Sequence, residues 1–431
     1  MKITAGGIPL GSDFYQGRQT YVDDLGNFLK SKDVLVLGPR RTGKTCAIKE
    51  YLRQREEADK NFVSIFIDLE TAQNLYEFYI RIIKRVLNAT SKWRFLLDEG
   101  VDAIKNLSHS LRSILEVEAD LAPYLGTEGE LKVSIKLPDF DPKKVELLAE
   151  ELHRLLSKLK SEVVIVLDEF PELIWKFGEG VPDQEAYKER VSKTQFLMSG
   201  LRKIRQETTE GTKRHKFIVA GSINLDNTLQ YLGLDQTIND VDRLKIPYLQ
   251  PSQTVELMLL LCDAEKFEFS NKEHFKGFVE QQFGRSSPFY VQLYAEILRQ
   301  ASIDKMGQRV FSEVEVQKAL KDLLTHPKGP RYLITRIDRY YTHEKDLVLK
   351  ILGITARTQY ETGKPIKDGE CFALLSGEVK DLTREKYTEI TGKLLSDDLI
   401  QNMEDGSHIG IDSHVLCNFW HHRLVDARFT R

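Results

Sequence analysis

The stretch Val34-Leu35-Val36-Leu37-Gly38-Pro39-Arg40-Arg41-Thr42-Gly43-Lys44-Thr45 decides how the rest of the chain is read. Its four apolar residues fit a strand covered on both faces, as in a parallel sheet. The Gly-x-x-x-x-Gly-Lys-Thr spacing that follows is that of a loop wrapped around phosphate groups. Gly38 and Gly43 permit backbone angles closed to other residues, so main-chain N–H groups can surround the phosphates. A helix opening near Lys44 adds its positive dipole end. Lys44 then reaches the β- and γ-phosphates, and the Thr45 hydroxyl ligates magnesium. The expected cradle is Gly38, Pro39, Arg40, Arg41, Thr42, Gly43, Lys44, Thr45 and Cys46, with ATP and Mg2+ as its ligands. Strand, loop and helix in this order argue against a plain surface turn.

A second apolar run, Val163 to Leu167, ends in Asp168 and Glu169. Alone it would read as a strand closing in solvated acids. Beside a phosphate loop, Asp168 is expected to hold magnesium and Glu169 to act as general base on the attacking water. A third run, Phe217 to Ala220, leads through Gly221 to Ser222. Ser222 is the candidate for sensing the γ-phosphate, with Asn224 behind it; the bland alternative is a strand end followed by a turn.

Working outward, further strands are expected at Phe62–Leu69 and Arg243–Pro247, with helices such as Thr45–Gln54 and Leu75–Leu87 between the strands. Strands alternating with helices imply a parallel α/β layer. Lys44 and Asp168 are further apart than a minimal core needs, and the surplus is placed at about 90–145. It includes the alternating run Leu131–Leu137, read as a structural lid or a partner contact. Beyond Pro251 the strand signals stop, and residues 251–325 read as amphipathic helices broken near Asn271, Gly284 and Phe311. Pro327-Lys328-Gly329-Pro330 reads as a hinge. Helices at about 343–356, 370–378 and 383–395, then strands at 399–403 and 408–412 around Glu404-Asp405-Gly406, describe a winged helix.

Bulk composition bounds the rest. A chain of 431 residues suggests two to three domains, and 41% hydrophobic content with 13 prolines fits a folded chain. Basic and acidic side chains nearly cancel, 62 against 65, so the net charge of −3 marks no general nucleic-acid or membrane binder. Met1–Leu10 lacks signal-peptide character, and apolar runs such as Leu257–Cys262 are far too short to span a bilayer. Cys46, Cys262, Cys371 and Cys417 lack paired metal-ligand spacing and read as free thiols. The expectation is a soluble cytoplasmic protein.

The order Phe14-Tyr15-Gln16-Gly17-Arg18, phosphate loop, VLDEFPEL, AGS and helical region resembles the archaeal-ATPase group of the STAND class, related to AAA+ ATPases and origin-recognition initiators. The resemblance spans most of residues 8–300 and, more weakly, the rest. It implies that Tyr15 and Arg18 pack near the adenine, although that segment also reads as a cap on helix Gln19–Leu29. It also implies that Gly284-Arg285-Ser286-Ser287-Pro288 forms a lid turn approaching the phosphates, with Pro288 in the turn and Arg285 as a second sensor. The family's Gly-x-Pro spacing is departed from here. Arg243 occupies the place of an arginine finger, yet Asp240 and Asp242 would draw it into a local salt bridge. Leu416–Arg423 resembles the aromatic helix that closes such chains; adjacent His421 and His422 diverge on a helix and make poor joint metal ligands.

Residues 331–431 hold 15 Lys plus Arg and 16 Asp plus Glu. Helix Thr383–Leu395 offers Arg384, Lys386 and Lys393 but also Glu385 and Glu389, a balance that does not favour DNA. The reading is therefore a P-loop NTPase parallel sheet of AAA+ type in residues 1–247. A helical lid at 248–326 and a C-terminal winged-helix domain at 331–431 follow. It binds and hydrolyses ATP as a switch acting on a protein partner or on self-assembly, with a DNA-binding AAA+ loader as the alternative. No membrane partner is expected.

Overall fold

The computed structural model describes residues 1–92, 110–111, 113–114, 140–157, 159, 162–179, 183–207, 215–221, 225–304, 309–403 and 406–425. They fall into two compact units, one of Tyr21–Leu37 with Ile48–Lys245, the other of Met1–Thr20, Gly38–Ala47 and Ile246–Arg431.

The first unit is built on a sheet. After α1 (Gln19–Leu29) come β1 (Val34–Leu37), α2 (Lys44–Ala58), β2 (Val63–Asp68) and α3 (Leu75–Lys92). They are followed by α4 (Pro142–Ser157), β3 (Val163–Asp168), α5 (Phe170–Lys176), α6 (Asp183–Glu207), β4 (Lys216–Ala220), α7 (Leu225–Tyr231) and β5 (Asp242–Lys245). The five strands lie in the order β2-β3-β4-β1-β5, and every pairing is parallel. Parallel strands need covered faces, and every residue of β3 and β4 is buried. Burying each of Ile165, Val166 and Leu167 contributes roughly 1.5–3 kcal/mol, which explains why these runs read so clearly. The helices α3, α4 and α6 join the strands in a single apolar core.

Buried polar side chains stitch the strand starts together. Asp33 Oδ1 accepts a hydrogen bond from Phe217 N at 2.9 Å, tying the entrance of β1 to β4. Arg205 lies 3.7 Å from Asp33 and donates to Asp240 at 3.0 Å. His215 accepts from Val163 N at 3.3 Å through Nδ1 and meets Leu156 O at 2.9 Å through Nε2. This geometry fixes the neutral Nε2–H tautomer, and burial lowers the imidazole pKa.

The second unit is mainly helical. It holds α8 (Pro251–Ala264), β6 (Glu268–Phe269), α9 (Lys272–Phe283), α10 (Pro288–Asp304), β7 (Val310–Phe311), α11 (Glu313–Thr325) and α12 (Tyr332–Tyr340). Then follow α13 (Lys345–Thr362), β8 (Ile366–Lys367), α14 (Asp368–Glu378), α15 (Arg384–Ser396), β9 (Gln401–Met403), β10 (His408–Gly410) and α16 (His414–Leu424). Three of these starts have a local cause. Asn271 accepts from His274 N at 3.0 Å, Thr383 accepts from Lys386 N at 3.2 Å, and Glu315 accepts from Ser312 N at 2.8 Å. The helical breaks fall where expected, at Asn271, Gly284 and Phe311. One apolar core runs from Leu257, Phe283 and Tyr294 through Leu323 to Ile351, Tyr387 and Trp420, so residues 248–326 and 331–431 share it.

Three details differ from expectation. Strand signals stop at Pro251, yet β6 and β7 pair in parallel, and Phe267 and Phe269 pack on Phe311. Two-residue strands carry no alternation; tertiary packing alone creates them. Helix α12 precedes the first helix expected after the hinge, its start fixed by Pro330 O accepting from Leu333 N at 2.9 Å. Strand β8 adds a third strand, antiparallel to β10, beside the β9–β10 hairpin. The expected insert falls largely outside the described residues: 93–109, 112 and 115–139 include Leu131–Leu137. Glu404 and Asp405 of the hairpin turn are also outside them.

Candidate nucleotide site

β1 delivers the chain into the loop at Gly38, whose φ is 141°. A Cβ there would lie 3.0 Å from the carbonyl carbon of Ile246 and closer still to its oxygen, so no other residue fits. Gly43 follows with φ of 94°. Between them, buried Thr42 donates from Oγ1 to Pro39 O at 2.9 Å, closing the turn. Lys44 folds back over the loop, its ammonium donating to Gly38 O at 2.8 Å and Pro39 O at 2.9 Å. Lys44 opens α2, and Ala47 N meets Gly43 O at 2.9 Å as the helical ladder begins. Thr45 and Cys46 therefore sit in the first turn of α2, at the positive end of its dipole.

Arg41 differs from its neighbours. It takes φ of 67°, and its guanidinium lies 4.1 Å from the centre of the Phe289 ring and 3.9 Å from that of Tyr332. It donates to Lys328 O at 2.6 Å. Arg40 also approaches Tyr332, at 5.5 Å. Both arginines belong to the expected phosphate cradle, but Arg41 is spent on aromatic rings and carbonyls of the helical segment.

In the sheet unit, β3 ends at Asp168, which is only 6% exposed and accepts from Glu169 N at 3.1 Å. Glu169 is left-handed, with φ of 55° and ψ of 32°, at the turn that opens α5. Left-handed backbone is unfavourable for a glutamate, by roughly 1–3 kcal/mol, and persists only where the surroundings hold it. The neighbouring connection supplies that hold. A Cβ on Gly221, just after β4, would come within 2.7 Å of Pro171 Cγ and closer to Cδ, so the two strand exits are fitted to each other. Because the sheet is parallel, β1, β3 and β4 all end on one edge, the edge at which α/β folds bind ligands. Asp68, not among the expected site residues, ends β2 in register with Asp168. The same signal, an apolar run closing in an acid, was present there.

Other expected site residues have structural partners. Tyr15 donates to Glu256 at 2.7 Å, with its pKa raised by burial and by that carboxylate. Arg18 donates to Pro247 O at 2.7 Å, and Gln253 donates to Gly17 O at 3.2 Å. These bonds tie the amino-terminal lead to the start of α8. Arg285 is engaged by the buried carboxylate of Asp412 at 2.9 Å, while its backbone exchanges hydrogen bonds with His414. Pro288 begins α10 behind Ser287, whose hydroxyl accepts from Tyr290 N at 3.3 Å. Arg243 does form a local salt bridge, but with Asp226 at 2.8 Å; Asp240 and Asp242 serve Arg205 and Lys32 instead. Asp226 opens a helix that packs nearby only in the folded sheet, so chain proximity misdirected that expectation. Ser222 and Asn224 lie outside the described residues. His421 stacks on Tyr360 with centroids 3.9 Å apart, and no cluster of metal-ligating side chains occurs among the described residues.

Residues 30–128 match the model of the AAA domain family. Among solved structures, the Walker-type ATPase PABY2304 of Pyrococcus abyssi superposes with a TM-score of 0.60 at 14% identity, over 97% of this chain and 99% of that one. The ORC2 protein of Aeropyrum pernix, solved as ADPNP–ADP complexes, gives 0.56 at 14% identity, over 100% of this chain and 98% of that one. No curated protein matches the sequence. The chain thus has the P-loop fold of AAA+ type that the motif order implied, shared with an archaeal Walker-type ATPase and an origin-recognition protein. No helix among the described residues is long and apolar enough to cross a membrane.

Proposed function

We propose that this chain binds ATP with magnesium on the loop Gly38–Cys46, hydrolyses it slowly, and converts nucleotide state into a change of conformation or assembly. The observation that carries the reading is the loop itself. Gly38 cannot bear a Cβ, and the Lys44 ammonium is already held over the loop by Gly38 O and Pro39 O. A phosphate offers that ammonium a charged acceptor in place of two neutral ones, and so a stronger bond.

Thr45 and Asp168 would hold magnesium, which supplies charge neutralisation on the phosphates when bound. Glu169, beside Asp168 at the strand edge, takes the proton from the attacking water. Phosphate sits against the N-terminus of α2, and Ser222 is the candidate contact to the γ-phosphate. Tyr15 and Arg18 fix the lead segment, and Arg285 awaits release from Asp412 before it can serve a phosphate. The winged-helix arrangement of α13, β8, α14, α15 and the β9–β10 hairpin is the module that nucleotide state would reposition, toward a protein partner or a second copy.

Titration with fluorescent ATP and magnesium tests the reading. Native chain should bind, and Lys44→Ala should weaken binding at least about tenfold. Glu169→Gln should keep binding while turnover falls about 100-fold or more. A native chain that takes up no nucleotide would sink the proposal.

A DNA-binding AAA+ loader is the second reading, favoured by the fold shared with an ORC2 protein and by the helix pair α14–α15 followed by a hairpin. Against it, Lys386 and Lys393 of α15 are both paired with Glu344, at 3.3 and 3.1 Å, and with Glu389, at 3.1 and 2.8 Å. Duplex binding would have to break those pairs. Salt-sensitive binding lost in a Lys386→Glu, Lys393→Glu double variant would establish the second reading; a flat titration at low salt would remove it.

A further inference from the structure

We infer that Arg41 is a positioning residue that couples nucleotide occupancy of the phosphate loop to the turn at Lys328–Tyr332, from which the C-terminal helices begin. The inference rests on the nucleotide reading above and assigns the loop an output. Arg41 stands three residues before Lys44, yet its four anchors lie hundreds of residues away in sequence. The guanidinium is sandwiched between the rings of Phe289, at 4.1 Å, and Tyr332, at 3.9 Å. It also donates to Lys328 O at 2.6 Å and Gly329 O at 3.4 Å. A planar guanidinium fits such a slot by stacking and by its fork of donors, which a lysine cannot reproduce.

The turn that receives it is rigid. Gly329 N donates to His326 O at 2.8 Å and Lys328 N to His326 Nδ1 at 3.1 Å, while a Cβ on Gly329 would meet His326 O at 3.0 Å. Gly329 and Pro330 are buried, but Lys328 and Arg331 are exposed. The gripped end of Arg41 therefore has little slack. At the other end, its backbone is one residue from Thr42 and two from Pro39, the carbonyl that both Thr42 and Lys44 use. A phosphate that draws the Lys44 ammonium off Gly38 O and Pro39 O alters the peptides leading into Arg41. A displacement of 0.5–1 Å forfeits a quarter to a half of a contact's attraction, so the sandwich cannot follow a loop rearrangement unchanged. ATP and the grip on the turn thus compete, and by linkage each weakens the other by the same factor.

Limited trypsin digestion reads this directly, because Lys328–Gly329 and Arg331–Tyr332 are cleavable bonds inside the gripped turn. With native chain, saturating ATP and magnesium should accelerate cleavage there at least about fivefold, the lower range of coupling between linked sites. Tyr332→Ala, which leaves the loop sequence intact, should be cut at the fast rate with or without ATP while still binding fluorescent ATP. Tyr332→Phe keeps the stack and should behave as native. Arg41→Lys keeps the charge but loses the stacking fork, and should likewise be cut at the fast rate with or without ATP. Uptake of ATP by the native chain with no change in cleavage overturns this inference alone, as does native-like ATP dependence in Tyr332→Ala. Absence of ATP uptake overturns the nucleotide reading and this inference together.

Discussion

Gly221→Ala tests how the proposed catalytic edge is assembled. The substitution adds one methyl group at a position of ordinary backbone, but that carbon would lie 2.7 Å from Pro171 Cγ and nearer to Cδ. Carbon atoms in contact prefer about 3.5–4.0 Å. The exits of β3 and β4 must then separate by about 1 Å, because a proline ring has no rotamer to escape into. Pro171 follows Glu169 by two residues, so the shift falls on the left-handed turn that presents the proposed general base. Overpacking of this kind costs about 1–3 kcal/mol of stability. A misplacement of about 1 Å in a catalytic group costs about 100-fold in rate. Turnover measured by phosphate release should fall by about that factor, while titration with fluorescent ATP shows near-native affinity, since Gly38, Lys44 and Thr45 are not part of this contact. Native turnover in a folded Gly221→Ala protein would refute the claim that the Pro171–Gly221 fit places Glu169.

Three further outcomes follow from buried or paired charges. Burial lowers the pKa of His215, so the unfolded chain takes up a proton near the ordinary histidine value of 6.5 while the folded chain does not. The contribution of neutral His215 is thus present above pH 6.5 and lost as pH falls below it; urea melts of His215→Gln against native should show a flatter decline between pH 6.5 and 5. Arg243 is half-exposed and held by Asp226, so Arg243→Ala should cost no more than about 1 kcal/mol by denaturant melt and leave turnover unchanged at any protein concentration. Loss of turnover in that variant would point instead to an arginine-finger role. Arg285→Ala removes a charged partner of the buried Asp412 carboxylate, and stability should drop by about 1–3 kcal/mol, discounted for the exposure of Arg285. The double variant Arg285→Ala, Asp412→Asn should recover part of that loss in a double-mutant cycle.

Legibility in the sequence followed the range of the physics. Val34–Leu37, Val163–Leu167 and Phe217–Ala220 declared themselves because parallel strands buried on both faces must be apolar throughout. The phosphate loop did so because its glycines answer local backbone demands that no distant residue can relax. The helical breaks near Asn271 and Phe311 and the helix read from Thr383 likewise fall beside short-range caps, at Asn271, Ser312 and Thr383. By itself, then, the sequence determined the P-loop sheet, the identity of Lys44, Thr45, Asp168 and Glu169 as the chemical candidates, and the helical character of the chain beyond Pro251. Tertiary structure decided what depends on residues remote in the chain. It set the order of the strands, the two-residue pairing of β6 with β7, and the choice of Asp226 over nearer acids by Arg243. It also placed Asp412 on Arg285 and slotted Arg41 between Phe289 and Tyr332. A guanidinium reaches whichever carboxylate or ring the fold brings within a few ångströms, and no spacing along the chain encodes that meeting.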